Sequence, residues 1–254
     1  MVTFAKKKSF TFMADWEIIH IKETDSTNRW LREANLKEQM TCVCADYQTA
    51  GRGCGTNKWE SERGKNLTFS MLIHPKGIPA TQQFDISIAI SLAICEALDR
   101  YIGDLSIKWP NDIYHRNKKI CGMLIENVLD GNNVSYSIAG IGLNVNQREF
   151  PINLINPTSM SLASGKEYDL ESEMEKLHVC LRDSIVSNLN ADDDSSSYEG
   201  RLYRKGEFHE YVRCSDGTSF EAMITGVDKS GLLEVRNRKG EREKFAFKEI
   251  SYII

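Results

Sequence analysis

Residues 49–71 read TAGRGCGTNKWESERGKNLTFSM. Gly51, Gly53 and Gly55 alternate with Arg52 and Cys54, and Lys58, Trp59, Arg63 and Lys65 follow at once. So little Cβ bulk beside so much positive charge lets backbone N–H groups close on an anion. The tryptophan offers a flat face for a heterocycle. Together these residues favour a nucleotide, phosphate plus base. The loop has neither the GK[ST] ending of a Walker A sequence nor the glycine spacing of a dinucleotide fingerprint. Taken alone it also reads as a mobile surface loop, and Trp59 as core.

The composition sets the outer bounds. At 254 residues, 41% hydrophobic and 27% charged, the chain can bury a core of ordinary globular size. A net charge of −4 argues against an electrostatic nucleic-acid binder. Lys6–Lys8 reads as a solvated, frayed terminus. No apolar run is long enough for a membrane helix or a signal-peptide core, so a cytoplasmic protein is expected. The seven cysteines are odd in number and hold no C-x-x-C pair, which favours buried reduced thiols over zinc.

Outward from the loop, hydrophobic periodicity predicts strands over Trp16–Lys22, Thr41–Gln48, Asn66–His74, Ser106–His115, Lys119–Val128 and Asn133–Asn146. Helices are expected at Asn28–Leu36, capped from Asp25–Thr27, and at Phe84–Tyr101 and Leu170–Leu189. Asn190–Ser197 is polar and acidic and reads as a linker. Beyond it, glycine turns at Ser215–Gly217, Lys229–Gly231 and Arg238–Gly240 indicate a small β-barrel or sheet of some five strands. Two further features bear on chemistry. KWPND, Lys108–Asp112, puts a cation and a carboxylate about a proline inside a strand, which calls for an edge or a bulge. By alternation Lys119 shares a face with Cys121, Met123 and Ile125, so it, not Lys118, is the lysine expected to look inward at a site.

These motifs stand in a telling order: ETDSTN at Glu23–Asn28, QTAGRG at Gln48–Gly53, KWPND, KKICGMLIE at Lys118–Glu126 and GIGLNVN at Gly140–Asn146. In this the chain resembles the biotin protein ligase family. The resemblance implies an α+β fold: a mixed β-sheet with helices on one side, then a small SH3-like β-barrel. Residues 1–197 would form the catalytic domain, with 1–14 as an extension, and 198–254 the barrel domain. It implies that biotin is activated by ATP to biotinoyl-5′-AMP, with Mg²⁺, and passed to a lysine of a biotin carboxyl carrier domain.

Carried onto this sequence, the resemblance gives Ser26, Thr27 and Gln48 to the biotin head group, and Gly51, Arg52 and Gly53 to the loop over biotin and the adenylate. Trp59 would pack on adenine. Lys119 would bridge the biotin carboxylate and the phosphate. Asp112 would assist transfer and hold Mg²⁺, with Lys108 and Asn111 on the triphosphate side. Gly122, Gly140 and Gly142 would line the biotin slot, and Asn144 would touch the adenylate. Cys54 stands where many relatives carry a second arginine; two outcomes stay open, looser retention of the adenylate or a neutral change compensated by Lys58 or Lys65. About 15 residues precede the first motif strand, too few for a DNA-binding helix-turn-helix, so no role on DNA is expected. A monomer and a homodimer both stay open. A lipoate-type acyl ligase and a non-catalytic biotin sensor are the alternative readings. Intact Arg52, Lys119 and Asp112 argue against the sensor.

Overall fold

The computed structural model describes residues 17–34, 36, 41–190 and 195–254; the 1–14 extension and Trp16 lie outside them. The first half sets two α-helices among seven strands: β1 Glu17–Ile21, α1 Thr27–Glu33, β2 Thr41–Ala45, β3 Leu67–Ile73, α2 Phe84–Leu98, β4 Leu105–Lys108, β5 Asp112–His115, β6 Lys118–Asp130 and β7 Asn133–Leu143. Three helices follow, α3 Met160–Ser164, α4 Leu170–Asn190 and α5 Ser195–Gly200. Then come β8 Phe208–Arg213, β9 Ser219–Val227, β10 Leu233–Arg236, β11 Arg242–Phe245 and β12 Ile250–Tyr252.

β1 to β7 form one mixed sheet in the order β1-β2-β3-β7-β6-β5-β4. Among the described residues only the β1–β2 pair of this sheet is parallel. β3 is buried at every position, because both of its faces are covered. Phe69, Met71 and Ile73 face the main core with Ile86 and Ile90 of α2 and Leu177 and Leu181 of α4. Leu72 faces the other way, in a separate cluster with Leu31 of α1, Val43 and Ile138. The expectation of helices on one side therefore holds for α2 and α4. α1 packs on the opposite face, and that is the face of the functional site.

The segment predicted as a single strand over Ser106–His115 is two. β4 and β5 run antiparallel, with Lys108 opposite Asp112 and Trp109-Pro110-Asn111 making the reversal. The Trp109–Pro110 peptide is cis. A proline cannot donate to a ladder, and here it sits where no ladder is needed. The tight β5–β6 turn at Arg116, φ 55°, is where the sequence places it.

The linker expected over Asn190–Ser197 differs too. α4 runs to Asn190, residues 191–194 lie outside the described residues, and Ser195–Gly200 is helical. Tyr198 of α5 is fully buried, with its ring edge-on to Phe84 of α2 at 5.8 Å.

The last five strands make an antiparallel sheet in the order β11-β10-β9-β8-β12. Gly217, Gly231 and Gly240, all at positive φ, close the three turns read from the sequence. Among the described residues no pairing joins β11 to β12, so this is a five-stranded sheet rather than a closed barrel. Trp109 ties it to the first sheet, its buried Nε1 donating to the Gly231 carbonyl at 3.0 Å.

Candidate active site

Directly opposed residues of antiparallel strands share a face. One such row crosses five strands: Thr68 of β3, Gly142 of β7, Gly122 of β6, Asp112 of β5 and Lys108 of β4. The next row holds Ser70, Gly140 and Leu124. A floor without side chains thus lies between hydroxyls on one flank and an acid and a base on the other. It forms the bottom of a cavity of about 940 Å³.

The glycine loop covers this floor. Trp59 N–H donates to the Gly51 carbonyl at 3.0 Å and Gly53 N–H to the Asn57 carbonyl at 2.8 Å, folding residues 51–59 back on themselves. A Cβ on Gly51 would lie 2.3 Å from the Trp59 carbonyl oxygen, so only glycine permits that closure. The fold-back lays the Trp59 indole on the floor. A Cβ on Gly142 would stand 2.2 Å from its Cε2, and one on Gly122 3.0 Å from its Cζ3. The indole Nε1 is a buried donor with no hydrogen-bond partner among the described residues.

At the α1 end, polar groups interlock. Gln48 Oε1 accepts from Thr27 N–H at 2.8 Å and from the Thr27 hydroxyl at 3.1 Å. Gln48 therefore serves the first helical N–H, whereas Ser26, the N-cap residue, makes no capping bond. Ser70 Oγ lies 2.6 Å from both Thr27 Oγ1 and Asn28 Oδ1. Asn28 Nδ2 donates to the Leu124 carbonyl and to Glu126. Glu126 also binds Arg32 at 2.7 Å and Arg52 at 3.2 Å. Partial burial pushes its carboxyl up, but Asn28, Arg32 and Arg52 outweigh burial and hold it below the usual range.

At the other end Lys119 Nζ is 2.7 Å from Asp112 Oδ1 and 5.8 Å from the Trp59 ring centroid. Lys108 lies over the rings of Tyr252, at 4.7 Å, and Tyr114, at 5.5 Å. Burial pushes its ammonium down, against the opposing pull of Asp112. Asn111 Nδ2 lies 2.8 Å from Cys54 Sγ and donates to the Met123 carbonyl. Burial, then Asp112, raises the Cys54 thiol, so it is neutral at pH 7. The second sheet completes the wall with Cys214, Phe247, Lys248, Ile250 and Tyr252.

Residues 20–144 match the model of the biotin/lipoate A/B protein ligase family. The biotin–[acetyl-CoA-carboxylase] ligase of Paracoccus denitrificans is 33% identical over 231 residues, 87% of this chain and 95% of its own length. The chain belongs to that family. The bifunctional ligase/repressor of Bacillus spizizenii is 29% identical, over 89% of this chain and 70% of the relative. Among solved structures, the biotin protein ligase of Aquifex aeolicus in complex with biotin and ATP superposes with a TM-score of 0.75 at 28% identity, covering 92% of this chain and 97% of that one.

Within this ligase-family fold the site residues named from the sequence, Gly51 excepted, line the same cavity, but several stand there for reasons the sequence did not supply. Lys119 is one. Cys121, Met123 and Ile125 face the main core, the side away from the site. Strict alternation would put Lys119 with them. A register shift makes Cys121 pair with Ile113 but Lys119 with Tyr114, so Ile120 is the extra, bulged residue. The bulge turns Lys119 onto the glycine face. It is held from outside by Lys119 N–H to the Asn156 carbonyl and Thr158 N–H to the Lys119 carbonyl, at 2.7 and 2.8 Å.

The slot expected to take a ring against Gly140 and Gly142 is lined differently along its length. Gly142 receives the Trp59 indole, and Gly140 the Asn28 amide, whose Oδ1 would be 2.2 Å from a Cβ there. Asn144 is buried and donates its amide to the Thr158 carbonyl at 2.9 Å, anchoring the segment that holds the bulge.

Glu126, Tyr252 and Lys248 were not singled out beforehand. Glu126 lies four residues past Gly122 on the same strand face, a period-2 signal that was available. Tyr252 and Lys248 come from a distant sheet, and no local pattern marks them. Among the described residues no three His, Cys, Asp or Glu side chains gather as a metal cage. Asp112 and Glu60 are the carboxylates on the cavity wall, and Asp112 is paired with Lys119. That donor set does not build a resident Mg²⁺ site; an ion carried in on a triphosphate would find one oxygen ligand at Asp112.

Proposed function

We propose that this chain is a biotin protein ligase: it joins biotin to ATP, releasing pyrophosphate, and passes the biotinoyl group from biotinoyl-5′-AMP to a lysine of a biotin carboxyl carrier domain. The observation that carries this reading is the row Thr68–Gly142–Gly122–Asp112–Lys108, a glycine floor with a hydroxyl at one end and the Asp112 acid and Lys108 base at the other. A flat apolar ligand with one polar ring and one anionic tail fits that gradient.

In the first step a biotin carboxylate oxygen attacks the α-phosphorus and pyrophosphate leaves. Two anions must meet, and their repulsion is the electrostatic problem the site has to solve. Ser26, Thr27 and Gln48 take the ring end. Lys119 bridges carboxylate and α-phosphate, exchanging its Asp112 contact for them. Arg52, released from Glu126, closes over the same oxygens with Gly51 and Gly53. Lys108 and Asn111 face the leaving phosphates, and Trp59 packs on adenine, its orphaned Nε1 meeting an acceptor. Gly122 and Gly142 let the Trp59 indole lie against the sheet, and Gly140 the Asn28 amide, and these groups line the slot the ligand enters.

In the second step the carrier amine attacks the acyl carbon and AMP leaves. Asp112, freed from Lys119, is placed to take the proton from that amine. Closure of the loop keeps water from the mixed anhydride. The test is transfer itself: chain, ATP, biotin and a purified carrier domain, read by intact mass. One biotinoyl increment on one carrier lysine supports the reading, and an unmodified carrier with biotin and ATP present contradicts it.

A further inference from the structure

Lys248 has a backbone φ of 71°, in the left-handed region where a long side chain is disfavoured. It lies in the turn between β11 and β12, which Glu249 closes by its N–H to the Ala246 carbonyl and its carboxylate to Ala246 N–H, at 3.1 and 2.7 Å. From that turn the side chain spans the gap to the glycine loop. A Cβ on Gly55 would stand 2.1 Å from Lys248 Nζ, so the ammonium lies directly against the Gly55 backbone. Gly55 is itself left-handed, φ 67°. A strained turn on one sheet and a left-handed glycine on the loop thus place one cation at their junction, on the wall of the cavity.

The charge of that cation is uncommitted. Arg52 is bound to Glu126 and Lys119 to Asp112, whereas Lys248 has no ion pair among the described residues. Phe247 approaches it, with Nζ 6.0 Å from the ring centroid. The neighbouring loop residue, Cys54, is neutral, and Asn111, Asp112, Lys119 and Lys248 are the groups that act on its thiol.

We propose that Lys248 is a nucleotide-phosphate contact: the second sheet lends the glycine loop a cation that position 54 does not provide. This rests on the ATP-dependent reading above. It also gives the second sheet a direct part in binding the nucleotide and offsets any loosening of adenylate retention that Cys54 brings. The left-handed φ is the structural cost of delivering the ammonium to that point.

The experiment uses the full chain and measures KM for ATP in biotin-dependent pyrophosphate exchange, together with biotin affinity by calorimetry without nucleotide. Lys248→Met keeps the length and apolar packing and removes the charge. It should raise KM for ATP at least about tenfold, the loss of one charge-assisted contact, with biotin affinity within about twofold of wild type. Lys248→Gly should lose the same ATP affinity yet melt no lower than wild type, since glycine relieves the backbone. Cys54→Arg added to Lys248→Met should bring KM back to within about threefold of wild type, by supplying a cation at the same junction. An unchanged KM in Lys248→Met, or no recovery when Cys54→Arg is added, overturns the proposal. A wild-type chain with no biotin-dependent exchange overturns the ATP reading itself, and this proposal with it.

Discussion

Lys119 Nζ stands 2.7 Å from Asp112 Oδ1, on a face that Lys119 reaches only because Ile120 bulges out of the β5–β6 ladder. The pair faces the Gly122 floor from both sides of one strand junction, so the two groups that would act in successive steps hold each other when neither is acting. Lys119→Ala should lower the rate of adenylate formation by about two to three orders of magnitude, the effect of losing one preorganised charge at a developing anion. Its melting temperature should stay within a few degrees of wild type, because a part-exposed ion pair adds about 1 kcal/mol or less. Single-turnover formation of biotinoyl-AMP, read beside a thermal melt, checks both halves.

Asp112→Asn separates the two steps. Lys119 keeps its charge, so adenylate formation should fall less than about tenfold, whereas transfer to the carrier should fall about a hundredfold or more, in the range of a lost general base. Equal loss in both steps would give Asp112 a role in adenylation alone.

Gly142→Ala puts a methyl group 2.2 Å from the position of Trp59 Cε2, with rigid ring rather than a flexible chain end in its way. The indole must leave the floor. A stability loss of about 1–3 kcal/mol is expected from the overpacking, and KM for ATP should rise with it. Denaturant unfolding and exchange kinetics on one preparation measure the two effects.

Glu126 should leave a mark on stability against pH. Its carboxyl titrates lower in the folded chain than its ordinary 4.5, through Asn28, Arg32 and Arg52. Such a group contributes stability that is fully present above pH 4.5 and is lost as pH falls through the lower folded value. Glu126→Gln should therefore be less stable than wild type at pH 7, with the gap narrowing below about pH 4.5. Urea midpoints taken from pH 7 down to pH 3 test the sign; a gap that widens on acidification contradicts it.

The strands and the glycine turns were readable because alternation and turn chemistry are local signals, whereas the site residues, Gly122 and Gly142 among them, came from the order of motifs shared with a family. KWPND reads locally as a departure from ordinary strand. Its reversal did not, since a proline in an apolar stretch signals an edge, a bulge or a turn alike. Lys119 shows the limit most clearly. Period-2 counting singles out Lys119 but places it on the core face, and a bulge fixed by the backbone of residues 156–158, distant in sequence, turns it onto the cavity face. Lys248 and Tyr252 reach the site across more than a hundred residues, so nothing in their neighbours marks them. α3 was a missed local signal: Ser159 caps Leu162 N–H and Gly165, φ 75°, ends the helix.

Trp109→Phe tests the bond between the sheets. It removes the donor to the Gly231 carbonyl and leaves that buried acceptor unpaired, a loss of about 1–3 kcal/mol. If the nucleotide lies against the second sheet as proposed, affinity for ATP should fall while biotin affinity holds. Calorimetry with each ligand separates the two.

The central claim is that this cavity joins a biotin carboxylate to the α-phosphate of ATP. The most direct test is exchange of labelled pyrophosphate into ATP by the purified chain with Mg²⁺, run in parallel with biotin, with lipoate and with neither. The account requires exchange with biotin alone, slowed by about two to three orders of magnitude in Lys119→Ala. Exchange with lipoate instead, or none with either acid, would contradict it.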